Sequence, residues 1–480
     1  HTSSGKSSAF GIDHRHMPLE IEGDGRGGAA VSSVTGSNLY PTGIAWLGDI
    51  PEHWDVRRLK YIVDFCGGGT PSKSDEAFWG GDIPWVSPKD MKTDLIQDTE
   101  DHITEAAVRA SATRMVPAGA VLLVVRSGIL RHSIPVAIAG RPLALNQDMK
   151  ALIPKGHCEP RYLKYTIQGR QHALRLAWTK TGATVQSIEH ELLANTLFPV
   201  PPLAEQRAID DFLDEKTAAI DALIAKKERL IELLEERRLT MIQERVAGRQ
   251  GHATRLKASG LQWLGDIPAH WEGVRVRHVA RLETGHTPSR QHPEYWVPEE
   301  CTIPWFTLAD VWQIRDGRRE YVEETAEKVS PIGLANSAAR LLPAGTVILS
   351  RTASVGFSGV MAIPMATSQD FVNWVCGPRI RPLYLLYVFR AMRQEFRRLT
   401  MGSTHQTIYM PDVREFKTPL PPVEEQDAII AELRRDLCGY NGLDQRLRAQ
   451  IDKLREYRQT LISAAVTGQI DIRKEIEVPA

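Results

Sequence analysis

Cysteine is scarce in this chain. Only Cys66, Cys158, Cys301, Cys376 and Cys438 occur in 480 residues, an odd number, widely spaced and with no C-x-x-C pair. That excludes a disulfide framework and a thiolate zinc site, and fits free thiols in a cytoplasmic setting. Long apolar runs are lacking as well. The longest, about Ala120–Val125, falls far short of the roughly 20 residues a spanning helix needs. No apolar h-region follows the basic positions near the start, so no cleavable signal is read. Net charge is absent too: 59 Lys+Arg balance 59 Asp+Glu. Any case for nucleic acid must therefore rest on local charge.

The motifs of catalysis are missing in turn. No G-x-x-x-x-G-K-[ST] phosphate loop is present. Phe65-Cys-Gly-Gly-Gly69 faintly resembles a cofactor loop, but its counterpart Leu282-Glu-Thr-Gly-His286 lacks the glycine run, so a tight turn into Thr70-Pro71 is expected. Pro411-Asp412, Glu415 and Lys417 mimic a nuclease motif. A metal-dependent nuclease needs carboxylates converging from neighbouring strands, and a two-residue gap leaves no hairpin for that. Pro201-Pro202 and Pro421-Pro422 lack the preceding Asn/Asp and following aromatic of an amino-methyltransferase. The histidines form no metal-binding helical pair. No catalytic and no metal-ligating residue is expected.

What is present is ordinary globular composition, 42% hydrophobic and 25% charged, which excludes a wholly disordered chain. The length exceeds what one core usually serves, so at least two domains are expected. Residues 1–40, rich in Gly, Ser and His, read as an expression leader or disordered tail.

Beyond them the chain is a repeat. Trp46-Leu-Gly-Asp-Ile-Pro-Glu-His-Trp54 returns as Trp263-Leu-Gly-Asp-Ile-Pro-Ala-His-Trp271, Gly69-Thr-Pro-Ser-Lys73 as His286-Thr-Pro-Ser-Arg290, and Ile83-Pro-Trp85 as Ile303-Pro-Trp305. Pro117-Ala-Gly119 returns as Pro343-Ala-Gly345, Gln147-Asp148 as Gln369-Asp370, and Pro199-Val-Pro-Pro-Leu-Ala-Glu-Gln206 as Pro419-Leu-Pro-Pro-Val-Glu-Glu-Gln426. The offset is 217 at the start and 220 at the end. A period this long means two copies of a domain-plus-helix unit, not a solenoid. Between the anchors most positions differ, as two readers on one scaffold would.

Each unit has two parts. Residues 41–202 and 258–422 mix short apolar runs, such as Val121–Val125 and Val347–Leu349, with Gly/Pro punctuation and helical stretches at 162–176 and 383–399; they read as α+β domains. After each Pro-Pro pair a helix should start. Ile220, Leu223, Leu230, Leu234 and Met241, interrupted by Lys227 and Arg237, give the first a 3-4 stripe; Leu433, Leu437, Leu447, Ile451, Leu454 and Leu461 give the second. Glycines 248 and 468 stop them. Forty-odd residues span roughly 60–65 Å, and two such stripes imply an antiparallel or crossed coiled coil. The spacer segments are 203–250 and 423–472. Gly439 and Gly442 cost the second helix roughly 2 kcal/mol against alanine, so a kink or break is expected there.

Local charge is uneven. Residues 109–182 hold 12 Lys/Arg against 2 Asp/Glu, and 340–409 hold 8 against 2; 74–105 and 294–327 reverse this, with 9 acids against 2 and 3 bases. A basic half in both copies suits a phosphate backbone; solvated faces that pair with each other are the plainer reading. Base-edge candidates lie where the copies share a loop but vary it. They are Thr70, Ser72 and Lys73 with Thr287, Ser289 and Arg290; Ser87 and Lys89 with Thr307; Arg126 and Ser127 with Arg351 and Thr352; and Thr184 and Gln186 with Thr404, His405 and Gln406. Ordinary turn chemistry would also place Ser, Thr and Gly there.

W-L-G-D-I-P-x-H-W, the T-P-S-[KR] turn and above all the duplicated P-x-P-P-x-x-E-Q helix start resemble the specificity subunit of type I restriction–modification systems, over about 40–472. The resemblance implies two similar α/β target-recognition domains separated by two long antiparallel coiled-coil helices, a pseudo-twofold repeat. It implies an adaptor that reads a bipartite, asymmetric target in double-stranded DNA and catalyses nothing. Two methyltransferase subunits and restriction subunits would be its partners, with S-adenosylmethionine, ATP and Mg on them and no cofactor on this chain. Glu205, Gln206, Glu425 and Gln426, repeated while the loops diverge, are the expected docking contacts, unless they only cap the helices. Two rival functions are a scaffold without a DNA role and, with too few residues left for a cofactor domain, a self-sufficient DNA methyltransferase.

Overall fold

The computed structural model describes residues 39–179, 186–249, 255–400 and 406–472. The chain divides into two compact units, His1–Asp214 with Gln459–Ala480, and Glu215–Arg458. Almost all of the expected leader lies outside the described residues; Leu39–Pro41 already forms a strand paired with Asp49–Pro51.

The first unit is built on a five-stranded sheet in the order Val63–Gly67, Met149–Pro154, Val121–Val124, Val136–Ala139, Leu95–Ile96. Its pairs are antiparallel except the last. Val121-Leu-Leu-Val124 is apolar throughout because both faces of this strand are covered. Val121 and Leu123 pack with Ile62, Leu163 and Ile167, whereas Leu122 and Val124 pack with Ala137, Leu145 and Met149. A second sheet, ordered His102–Ile103, Trp79–Val86, Leu143–Leu145, Met115–Val116, lies beside it in the same unit. The second unit repeats the plan: Ala280–Thr284, Phe371–Cys376, Val347–Ser350, Ser358–Met361, Tyr321–Val322, with a smaller sheet around Ile303–Phe306. The alternation also recurs, with Val347 and Leu349 in one core cluster and Ile348 in another.

The two long helices are Leu203–Val246 and Val423–Val466, each 44 residues. Within the second unit they run antiparallel. Arg458 pairs with Asp221, Arg455 with Glu228, Lys227 with Gln450, and Arg245 with Glu432 and Asp436, so residues later in one helix meet residues earlier in the other. Ile220, Ile224, Leu447 and Ile451 are buried along this stretch. The stripe differs from the expected one at two positions: Leu223 and Leu230 face solvent, and Ile224 and Ile231 take their inward places.

The expected break at Gly439–Gly442 is absent. The second helix is continuous from Val423 to Val466. Leu433, Leu437, Asp444 and Leu447 are buried on either side of the glycines, and packing of this kind outweighs a propensity deficit of about 2 kcal/mol.

Each helix ends on a glycine for a steric reason as well as a conformational one. Gly468 has φ +70°, and a Cβ there would lie 2.3 Å from Pro51 Cδ; Gly248 has φ +69°, and a Cβ would lie 2.7 Å from Pro268 Cγ and Trp271 Cη2. The repeated Ile-Pro-x-His-Trp segment is thus a socket for a helix end. In the first unit it receives the end of the second helix, and in the second unit the end of the first. Tyr162 and Tyr384, both fully buried, complete the sockets by donating to the Val466 and Val246 carbonyls, each at 3.4 Å. Burial pushes both phenols well above the usual tyrosine range.

Candidate nucleic-acid interface

In each unit the strand ends deliver several loops to one edge, and backbone hydrogen bonds lock them together. In the first, Gly69 N–H donates to Leu145 O, Asn146 N–H to Val86 O, Val125 N–H to Asp148 O, Ser127 N–H to Gln186 O and Ile188 N–H to Val125 O. In the second, His286 N–H donates to Thr367 O, Ser368 N–H to Phe306 O, Arg351 N–H to Asp370 O, Ala353 N–H to Gln406 O and Ile408 N–H to Arg351 O. All five bonds have counterparts at equivalent positions, and the segments at 146–148 and 368–370 are the hubs.

The glycine turn is one of these loops, as a tight approach and not as a cofactor cradle. A Cβ on Gly68 would lie 1.9 Å from Asn146 O, and one on Gly285 2.0 Å from Ser368 O. Two tryptophans hold the T-P-S segment that follows. Trp85 Nε1 donates to Gly69 O at 3.1 Å and Trp79 Nε1 to Ser72 O at 3.0 Å; Trp305 and Trp296 do the same for His286 O and Ser289 O. Lys73 is thereby presented to solvent. Arg290 stacks 4.0 Å from the Trp296 ring centre and pairs with Glu327. Thr287 is exposed enough to bond Gln369, whereas the Thr70 hydroxyl is buried without a partner.

Several candidates prove to be scaffold. Ser87 and Thr307 are helix caps, each bonded through backbone and hydroxyl to the carboxylate three residues on, Asp90 and Asp310. Ser127 caps a short helical turn. Ser289 bonds the Gln291 amide and Ser72 bonds Ser74. Thr352 forms a bridge with Thr407. Lys89 pairs with Glu100 and Asp101, which hold its ammonium above the usual lysine value. Arg126 pairs with Asp148 at 2.6 Å, and Arg351 Nε donates to Gln369 O at 3.1 Å. Gln186 is half-buried and Gln406 exposed; Thr184, Thr404 and His405 lie outside the described residues.

Two exposed residues at the hubs, Gln147 and Gln369, belong with the candidates although the sequence reading left them out. Their signal was the repeated Gln-Asp pair, whose buried or paired member is the Asp. The basic halves are in part structural too. Arg161 pairs with Asp211 and Asp214, Arg381 with Asp427, and Lys164 with Asp94, all tying domain to neighbouring segments. Arg114, Arg131 and Arg141, by contrast, make no ion pair among the described residues.

The docking candidates need a correction. Gln206 and Gln426 are 0% exposed and cannot meet a partner. Gln206 accepts from Glu159 N–H at 2.8 Å and donates to His157 O and Pro201 O; Gln426 accepts from Arg381 N–H at 2.8 Å and donates to Arg379 O and Pro421 O. They rivet each helix start to its domain. Glu205 and Glu425 are partly exposed but bonded to His53 and to His270 and Trp271. The W-L-G-D-I-P-x-H-W and P-P-x-x-E-Q motifs are therefore halves of one joint.

Two copies of one loop-bearing domain, each joined in the same way to a long helix, define a class of duplicated recognition protein. The sequence comparisons specify it. The model of the type I restriction modification DNA specificity domain matches residues 51–233 and 268–451, and this chain belongs to that family. It is 41% identical over 178 residues to the type I restriction enzyme EcoR124I/EcoR124II specificity subunit of Escherichia coli, covering 37% of this chain and 44% of that one. It is 31% identical over 249 residues to the MjaIX specificity subunit of Methanocaldococcus jannaschii, covering 51% and 56%. These aligned stretches span about half the length of those two relatives. The putative MjaX specificity subunit of the same archaeon aligns at 23% identity over 89% of this chain and 96% of its own. A solved chain from work on complex assembly and conformational transition of the type I R-M system superposes with a TM-score of 0.62 at 17% identity, over 88% of this chain and 99% of that chain, a likeness of fold. Among the described residues no helix is long and apolar enough to cross a membrane.

Proposed function

We propose that this chain reads a bipartite, asymmetric sequence in double-stranded DNA, one part with each domain, and directs two methyltransferase subunits and the restriction subunits to it. The observation that carries the reading is the loop edge built twice on near-equivalent backbone bonds but furnished differently. Gly69 and Lys73 stand in one copy where His286 and Arg290 stand in the other, beside Gln147 and Gln369, which both copies share. Shared scaffold with unlike side chains suits two readers of two sequences. The chain catalyses nothing in this reading; S-adenosylmethionine, ATP and Mg act on the partner subunits. With Gln206 and Gln426 buried, the surface for the methyltransferase subunits is the exposed apolar side of the long helices, where Leu223, Leu230, Leu233 and Leu443 are each more than 40% exposed.

Mapping modified bases in cells that carry the chain with its methyltransferase partner tests this. The expected target is split, asymmetric and of constant gap, and exchanging 46–200 for another recognition domain changes one part only. A continuous or palindromic target, or a swap that alters both parts, would refute it. Salt-dependent DNA binding by the complex separates it from a scaffold without DNA.

A further inference from the structure

In the second unit four arginines line a small cleft between the first long helix and the recognition domain, and three of them are at least partly buried. Arg238 comes from the long helix, Arg390 from the helix Pro382–Ala391 and Arg393 from the start of the next helix, Arg393–Thr400, with the exposed Arg315 the fourth; Ser358, Gly317 and Ile314 are among the other lining residues. Arg238 and Arg390 are only 4% and 7% exposed. Their donors are not all used. Arg390 gives one Nη2 bond to Arg319 O at 2.6 Å, but its Nε and Nη1 are buried without partners; so are the Ser358 hydroxyl and the Nε of Arg238, whose terminal nitrogens bond Glu235, Asp316 O and Gly317 O. Buried guanidinium donors left unmet are costly, more so than neutral ones.

Charge points the same way. The carboxylates around the cluster are engaged: Glu235 with Arg238 at 3.1 Å, Glu320 with Arg434 and the Tyr387 hydroxyl, and Asp316 toward Arg318 at 3.8 Å. Three guanidinium groups thus share one committed carboxylate. Burial, and then the neighbouring Arg238, push Arg390 down to about 10, which still leaves it charged near neutral pH. Burial also lowers Arg393, with Arg397 and Arg238 adding to it. The inner space is about 30 Å³, room for roughly two water-sized groups. That is too small for a nucleotide and suits part of a tetrahedral anion.

The first domain lacks one of these arginines. The ninth residue of its helix Pro160–Gly169, in the place of Arg390, is Gln168. The cleft therefore stands outside the repeated joint machinery.

We propose that this cleft binds one free inorganic oxyanion of the phosphate–sulfate class through Arg238, Arg390, Arg393 and Ser358, fastening the first long helix to the second recognition domain. Guanidinium groups suit such oxygens because their forked donors match two of them at once. The test titrates inorganic phosphate into the full-length chain at constant ionic strength, balanced with chloride, following bound phosphate by equilibrium dialysis and thermal midpoint in parallel. One phosphate per chain is expected, with a midpoint that rises saturably, by a few degrees, as ligand linkage requires. Arg393→Gln, at the half-exposed mouth, should fold normally and bind at least tenfold more weakly; Arg390→Met should abolish binding. Absence of saturable binding, or binding unchanged in Arg393→Gln, overturns the proposal. So does stabilisation by duplex DNA that depends on Arg393 while inorganic phosphate is inert, since the phosphoryl group would then be the DNA backbone's.

Discussion

Replacing Gln206 by alanine isolates the joint between helix and domain. The side chain is wholly buried and makes three hydrogen bonds, to Glu159 N–H, His157 O and Pro201 O, at 2.8–3.0 Å. Alanine reaches none of them, so one buried donor and two buried acceptors lose this partner. Each such group costs about 1–3 kcal/mol. The carbonyls have second lone pairs and adjust more easily than the amide, which puts the sum near 3–4 kcal/mol, large for one substitution. Urea unfolding of the full chain should show the loss. Hydrogen exchange localises it: the Glu159 amide should lose about 100-fold in protection, since each 1.4 kcal/mol is tenfold. Glu205→Ala is the control, because its bond to His53 is partly exposed and worth no more than about 1 kcal/mol. If Gln206→Ala kept stability and Glu159 protection while weakening partner binding, the joint would be wrong and the glutamine a docking contact after all.

Further outcomes follow from the same geometry. Gly468→Ala meets both a positive φ and Pro51 and should destabilise by at least about 2 kcal/mol, whereas Gly439→Ala, with nothing within 4 Å, should stabilise by about 1 kcal/mol; urea midpoints of the two variants moving in the same direction would contradict this. Asp210 is 1% exposed, and burial pushes it up to about 8, with Arg161 no nearer than 3.8 Å. Its folded pKa lies above the unfolded value near 4, so the folded state holds the extra proton and stability falls as pH rises from about 4 to 8. Asp210→Asn should match the parent at pH 4 and exceed it at pH 8; denaturant curves at both pH values decide. On the proposed function, Gln147→Ala should relax sequence preference in one part of the target and Gln369→Ala in the other, each by about 10–100-fold, as methylation mapping of the two variants would show.

The repeat was legible because its anchors are joints. Trp54, Glu205 and Gln206 recur as Trp271, Glu425 and Gln426 because the same helix-to-domain connection is made twice, and a joint tolerates few residue types. The strands at 121–124 and 347–350 were legible because both their faces are covered. The Pro-Pro helix starts and Gly248 and Gly468 stops were legible because proline and glycine act through the local backbone. The candidate loops were found as loops, but the sequence did not separate readers from caps. Ser87 and Thr307 look like polar loop residues until Asp90 and Asp310 are seen bonded to them.

The sequence by itself determined the duplicated domains, the two 44-residue helices, the lack of metal and phosphate-loop motifs and the family likeness, all of which rest on periodicity, spacing and local stereochemistry. Tertiary structure alone decided the rest, because these outcomes depend on what lies across a fold from each residue. It made the second helix continuous through two glycines, since the buried residues around them outweigh propensity. It turned Gln206 and Gln426 inward, since the backbone of 157–159 and 379–381 passes over the helix starts. And it gathered Arg238, Arg390 and Arg393, more than 150 residues apart at the extremes, around one cleft that no local pattern announces.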